Sequence, residues 1–325
     1  MIKFSKLLKK IFSIEELKLN PPVLIDIGAS GALHRCWKKI AKYSTCIAFD
    51  ADSREMKIIE NAKSDFKKLY VYNCIVSDKD EGEVDFYLTK SPYCSSVLKP
   101  DIQNLKVWAY ADKFKITGKS KIKAKQLRTI LAELDIDKID WYKSDSQGLD
   151  LRIFSSLPDE IKDNIIISEF EPGFIDSYIG EDKLSKLISY LETQNFWLSD
   201  ITVKGSQRIS QNQLNEIYNS TLLKKLTYFS HKTSAGWAEL LYINNFQKIS
   251  NFRGYILGWI FSTILEQHGF ALSLIEKALP GQRGSINKLL LSMRKYSRER
   301  IKRNILKLKF MPYVFEKISK TLRLS

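Results

Sequence analysis

Histidine and cysteine are scarce in this 325-residue chain: His34, His231 and His268, and Cys36, Cys46, Cys74 and Cys94. The cysteines stand far apart with no Cys-x-x-Cys pair. That argues against a zinc site or a disulfide framework and suits a reducing, cytoplasmic compartment. Three scattered histidines do not support chemistry built on a histidine cluster, and no metal is expected. Long apolar runs are lacking too. The most apolar stretch, "YILGWIFSTIL" (Tyr255–Leu265), is too short for a bilayer, which takes about 20 residues, and reads as a buried helix. The N-terminal "MIKFSKLLKKIFSIEELKLN" has no continuous apolar core and no small-residue cleavage site, so no secretory signal is read there.

What the chain does have is ordinary globular composition, 44% hydrophobic and 27% charged, with a net charge of +15. The charge is not spread evenly. Residues 246–325 hold 16 Lys and Arg against 4 Asp and Glu, and residues 1–20 hold five Lys against two Glu. Residues 21–245 are therefore neutral. The expected organisation is a basic N-terminal helical segment (1–20), a neutral catalytic body (21–245) and a basic helical C-terminal extension (246–325).

Within the neutral body, short apolar runs alternate with helical or loop stretches. "VLIDIG" (Val23–Gly28), "CIAFDAD" (Cys46–Asp52), "LYVYNCIVSD" (Leu69–Asp78), "VDFYLT", "IDWYKSD" (Ile139–Asp145) and "NIIISEFE" (Asn164–Glu171) read as strands. "LHRCWKKIAKY" has helix length, and "LSKLISYLETQNF" has the spacing of an amphipathic helix. The pattern predicts an α/β fold with a mostly parallel sheet covered by helices on both faces. Ligands of such sheets bind at the carboxyl ends of the strands. Asp26, Asp50, Asp78, Asp145 and Glu169 fall at or near those ends. Each alone is equally a cap or turn residue; together they mark the expected crevice.

The loop after the first strand, Gly28-Ala29-Ser30-Gly31-Ala32, allows close approach of backbone N–H groups to a ligand. It departs from the G-x-G-x-x-G of dinucleotide folds, because Ser30 stands where the second glycine belongs and no third follows. "GKS" at Gly118–Ser120 is not a P-loop: Lys113 occupies the place of the first glycine, and the segment reads as a solvated loop. An acid ahead of the glycine favours a cationic or amino-bearing ligand over a polyphosphate, which leans towards S-adenosylmethionine (SAM).

The rest of the chain adds to this. "VLIDIGASGA", "AFDADSREMKIIEN", "CIVSDKDEGEVDFY", "YCSSVLKP", "WYKSDSQGLDLRIFSSL", "IIISEFEP" and "AGWAELLYIN" (Ala235–Asn244) resemble, in order, the blocks of the FkbM family of SAM-dependent methyltransferases. They span roughly residues 20–245. Asp150 is a departure, standing where the family block usually has Glu. The resemblance implies a Rossmann-like class I methyltransferase fold with SAM as cofactor. It implies that Asp26, Gly28, Ala29 and Ser30 hold the methionine part of SAM and that Asp50, with Ala51 beside it, takes the ribose hydroxyls. Ser77 and Asp78 would lie beside the adenine, and Ser95 and Ser96 would close over the cofactor, although a plain polar turn explains that pair equally well.

A sugar or alcohol hydroxyl needs a base as it accepts a methyl group. Asp145 is the first candidate and Glu169 the second; Lys143 would orient the acceptor or tune Asp145, and reads equally as a solvated lysine at a strand end. His34 reads as structural or surface. Gly148 reads as a tight strand-to-helix turn. The implied reaction is O-methylation of a glycan sugar or another small hydroxylated acceptor. Two rivals remain open: a non-catalytic SAM-fold scaffold or membrane adaptor, and a nucleotide-dependent sugar-modifying oxidoreductase. The latter needs a Tyr-x-x-x-Lys pair, which occurs only at Tyr228/Lys232 and Tyr313/Lys317, away from the predicted strand ends.

The basic segment "KLLLSMRKYSRERIKRNILKLKF" (Lys288–Phe310) interleaves apolar residues. It can pack on the body, mediate homo-oligomerisation, or lie peripherally on an anionic inner-membrane surface, which would suit a lipid-linked acceptor. No nucleic-acid recognition motif accompanies the charge. "LPGQRG" (Leu279–Gly284) is expected to break this extension into two helical portions.

Overall fold

The computed structural model describes residues 3–29, 34–52, 54 and 65–306, together with positions 311, 314, 317 and 318. Two compact units emerge: residues 21–249, and residues 1–20 together with 250–325.

The first unit is built on a seven-stranded sheet in the order β3-β2-β1-β7-β8-β10-β9. Its strands are β1 (Val23–Ile27), β2 (Thr45–Phe49), β3 (Lys68–Tyr72), β7 (Trp141–Ser144), β8 (Ile167–Phe170), β9 (Phe196–Ser206) and β10 (Ser234–Asn244). Pairing is parallel from β3 through β8, and β10 runs antiparallel to both β8 and β9. This is a Rossmann-like sheet, parallel but for its β10 strand, which runs against its neighbours at one end. All five residues of β1 and of β2 are buried, as near-continuous apolar strands covered on both faces should be. The edge strand β9 is largely exposed.

Helices Leu127–Glu133, Asp150–Ser155 and Leu184–Leu191 cover one face. Their spacing puts Leu127, Ile130 and Leu131 on one inward side, and likewise Leu184, Leu187 and Leu191. Phe154 sits edge-on to Tyr142 and Phe170, each 5.2 Å away between ring centroids. On the other face Trp37 and Trp141 meet edge-to-face at 6.1 Å.

Three sequence expectations need correction. "LYVYNCIVSD" is not one strand; it divides into β3 and β4 (Ile75–Ser77). β4 leaves the main sheet for a three-stranded one, β4-β6-β5, with β5 at Glu81–Thr89 and β6 at Ile116–Gln126. "GKS" is therefore strand, inside β6, where it pairs with β5 over Phe86–Leu88. "LHRCWKKIAKY" forms two short 3-10 turns, Arg35–Lys39 and Ala41–Tyr43. The register explains the split: Ile75–Ser77 pairs with Ala124–Gln126, which a neighbouring strand supplies 49 residues later.

The second unit is helical: Phe4–Ile11, Glu15–Leu19, Phe252–Ile264, His268–Ala278 and Gly284–Leu306. Phe252–Ile264 is apolar on nearly every side, and ten of its residues are buried. A helix of that kind belongs in the middle of a bundle. Phe4 stacks on Tyr296 at 5.7 Å and contacts Trp259 at 5.9 Å, while Trp259 Nε1 donates to Ser297 Oγ at 2.9 Å. Arg253 Nε donates to the Asn20 carbonyl at 3.1 Å. The chain's two ends thus form one body. Among the described residues no helix is long and apolar enough to cross a membrane.

Candidate functional site at the carboxyl ends of the strands

The loops leaving β1, β2 and β7 converge. Gly28 has φ +75°, and the N–H groups of Gly28 and Ala29 both donate to the Phe49 carbonyl at 3.0 Å. The Asp145 N–H donates to the Ile27 carbonyl at 2.9 Å, so the ladder continues past the strand ends. A Cβ on Gly28 would lie 2.1 Å from the Asp145 carbonyl oxygen. Only glycine permits this approach, and the approach brings Asp145 beside the first loop.

Asp50 closes β2 and is 6% exposed. Its Oδ1 accepts from the Asp52 N–H at 2.8 Å, and Asn73 Nδ2 donates to its carbonyl at 2.8 Å. Asp52, two residues on, is gripped by the Arg54 guanidinium and by Ser95 Oγ at 3.1 Å. Burial opposes its ionisation, but the Arg54 hydrogen bonds hold its carboxyl below the ordinary range.

These groups line a cleft of about 600 Å³, open mouth included, which takes in Gly28, Asp50, Ala51, Asp52, Ser95 and Asp145. Its apolar walls come from Phe49, Ile75, Val76, Phe86, Val97 and Leu149. Among the described lining residues are three carboxylates and no Lys, Arg or His.

The turn after β7 is held under backbone strain. Gln147 (φ +56°) and Gly148 (φ +108°) are successive left-handed residues. The Gln147 side chain explains how the first is held: Nε2 donates to Asp145 Oδ1 at 2.5 Å, and Oε1 lies 2.8 Å from the Tyr178 hydroxyl. Ser96 Oγ donates to the Gln147 carbonyl at 2.9 Å, so Ser96 braces this turn from behind. Asp150, buried, accepts from Ser144 Oγ, Ser146 N and Ser146 Oγ. It is a turn brace, and its shorter side chain fits that place.

Asp145 is a carboxyl with an unusual environment. Burial pushes it up to about 7; Asp150 and Asp26 add to this, while Lys143 and the Gln147 hydrogen bond oppose it. Because Ser144 pairs with Phe170, the residues that follow them, Asp145 and Glu171, leave adjacent strands side by side. Burial, then the Asp145 carboxyl, push Glu171 up to about 9.

Asp26, Lys143 and Glu169 are register partners across β1, β7 and β8 and therefore share one sheet face. Lys143 Nζ donates to Asp26 Oδ1 at 2.8 Å. Burial disfavours the ammonium, but the Asp26 and Asp145 carboxylates outweigh it and hold Lys143 charged. Glu169 is engaged at both oxygens, by His34 Nε2 at 2.8 Å and by Trp141 Nε1 at 2.5 Å. His34 also stacks on Trp37.

The structure thus brings Gly28, Asp50, Ala51, Ser95 and Asp145 to one cleft, with Ala29 and Ser96 buried in its supports. Asp26, Lys143 and Glu169 form a separate stripe beneath the strand ends. Ser77 and Asp78 are not brought to the cleft: β4 contributes Ile75 and Val76, while Ser77 pairs with Gln126 and the Asp78 carbonyl accepts from the Gln126 side chain. Ser30 lies outside the described residues. Sequence reasoning missed Glu171, Gln147, Tyr178 and Asp52. The only advance signal was the second acid of "SEFEP", two residues past Glu169 and so on the same alternation. Among the described residues no three His, Cys, Asp or Glu side chains are grouped to hold a metal ion.

No family model matches the chain, and no curated protein matches it. Solved structures do. One is the precorrin-6y C5,15-methyltransferase of Geobacter metallireducens GS-15, at 10% identity and TM-score 0.32, over 69% of this chain and 80% of that one. Another is a StiE O-MT segment, at 7% identity and TM-score 0.35, over 81% of this chain and 80% of that one.

Proposed function

We propose that the chain is a SAM-dependent methyltransferase of the FkbM type, transferring a methyl group to a hydroxyl of a sugar, glycan or similar small acceptor. The observation that carries this is the lining of the cleft at the carboxyl ends of β1, β2 and β7: its described residues include Asp50, Asp52 and Asp145 and no Lys, Arg or His, and the Arg54 guanidinium behind them is taken up by Asp52. A dinucleotide or ATP brings phosphates, which such a lining repels. SAM brings an amine, a ribose, an adenine and a sulfonium, and no phosphate.

The residues present fit that ligand. Asp50 supplies acceptor oxygens to ribose hydroxyls. Phe49, Val76, Phe86 and Leu149 supply apolar surface for a base. The bare backbone at Gly28 lets the Asp145 carbonyl come close, which holds Asp145 at the cleft beside the first loop. When bound, SAM supplies an electrophilic methyl group on a positively charged sulfur.

The protein's own work is to position the acceptor and to take its proton. Asp145, with Gln147 fixing one carboxyl oxygen, accepts the hydroxyl proton as the new bond forms. Glu171 shares that proton environment, since neighbouring carboxyls resist ionising together. Lys143 limits the shift through its positive charge. Ser96 and Tyr178 hold the turn that aims Asp145.

Calorimetric titration with SAM and with NAD tests the reading. SAM is expected to bind and NAD not. Asp50→Ala should weaken SAM by about ten- to a hundredfold, the cost of losing hydrogen bonds to a charged group, about 1.5–3 kcal/mol. NAD binding in place of SAM, or a variant that binds SAM unchanged, overturns it.

A further inference from the structure

We propose that the groove between helix Phe4–Ile11 and helix Gly284–Leu306 is a docking surface for an anionic phospholipid bilayer. Each helix turns one stripe into the groove. On the first the stripe is Lys3, Lys6 and Lys10; on the second it is Ser285, Lys288, Ser292, Lys295 and Glu299. Both follow the three/four spacing that aligns residues along one helix side. The groove is open and large, about 2450 Å³ including its mouth.

Five lysines share the lining with three carboxylates, Glu15, Glu16 and Glu299, and the basic face continues along the second helix through Arg294, Arg298 and Lys302. Arg294 and Arg298 approach Glu276 at 3.8 and 3.9 Å. The balance is positive, complementary to phosphate headgroups.

Charge alone would suit a polynucleotide as well, and the apolar side chains decide between them. Leu7, Ile14, Phe252, Ile286 and Leu289 lie among the groove's lysines. Leu291 stands exposed at 44% beside Arg294, Lys295 and Arg298 where the basic face continues along the long helix. Single-stranded nucleic acid calls for a row of open aromatic faces; among the described residues Phe4, Trp259 and Tyr296 are packed on one another, and Phe252 is the one aromatic in the groove lining. Basic residues interleaved with exposed aliphatic ones match a surface that meets headgroups and the acyl boundary together. The lysines of the first helix are also separable from its packing, since Leu7, Leu8 and Ile11 are its buried residues.

Co-sedimentation of the full chain with vesicles tests the assignment, comparing phosphatidylcholine alone with phosphatidylcholine containing phosphatidylglycerol. The full chain should pellet only with the anionic vesicles, and less as salt rises. The triple variant Lys3→Gln, Lys6→Gln, Lys10→Gln should lower the partition coefficient by about a hundredfold, and its melting temperature should stay that of the parent. A control triple variant at exposed lysines of the other unit, Lys79→Gln, Lys99→Gln, Lys186→Gln, should bind as the parent does. Equal binding to neutral vesicles, an equal loss in the control, or no vesicle binding at all overturns the proposal. Lysine-dependent binding of an oligonucleotide without vesicle binding assigns the groove to nucleic acid instead.

Discussion

Asp145→Asn is expected to lower methyl transfer by about a hundredfold to ten-thousandfold, the usual contribution of a positioned general base. SAM affinity should change little. The substitution keeps the shape of the side chain and an oxygen for the Gln147 amide, and removes only the ability to take a proton. Transfer of labelled methyl groups from SAM into an acceptor fraction reads the rate, and calorimetry reads the affinity. In the parent, the rate should climb with pH and level off above about 7, where burial has set the Asp145 carboxyl. A variant that keeps full turnover makes Asp145 a structural residue.

The same carboxyl has a signature that needs no acceptor. Its native value, about 7, is raised above the unfolded one, about 3.9. Between those values the native state holds a proton that the unfolded chain has lost, so stability falls as pH rises through that window. Glu171, raised to about 9, extends the decline to higher pH. Asp145→Asn should therefore match the parent near pH 4 and melt at a higher temperature than the parent above pH 7. Parallel melting curves at every pH would show that burial leaves this carboxyl unperturbed.

Gly28→Ala is expected to cost several kcal/mol and to abolish SAM binding. A left-handed backbone costs a non-glycine residue about 1–2 kcal/mol. The larger part is steric: the new Cβ would stand 2.1 Å from the Asp145 carbonyl oxygen. Backbone cannot rotate away as a side chain can, so the ends of β1 and β7 must part. For a unit of this size the melting temperature should drop by about 10 °C. Gly82→Ala is the control, since a Cβ there meets nothing within 4 Å, and its effect should stay within about 0.5 kcal/mol. Similar losses in the two variants would remove the close approach as the cause.

The sequence by itself determined the parallel strands and where they end. "VLIDI" and "TCIAF" are apolar but for Asp26 and Thr45 because both faces of a parallel sheet are covered, and that pattern is readable without coordinates. It also determined that a small-residue loop and acids stand at those ends, and that basic charge is confined to the chain's two extremities. Only tertiary structure decided which acid faces which partner. Glu169 and Glu171 are alike in sequence, yet pairing with β7 sets the first against His34 and Trp141 and the second beside Asp145. The division of "LYVYNCIVSD" likewise depended on β6, a partner 49 residues away, so no local pattern could assign Ser77 and Asp78. The turn at Gln147 and Gly148 is held by Ser96 and Tyr178, from segments about 50 residues before and 30 after. The joining of the two basic ends into one helical unit was decided by packing, through Phe4 against Trp259 and Tyr296. Periodicity and composition are local quantities; register and long-range contact are not, and at this site they assign the roles.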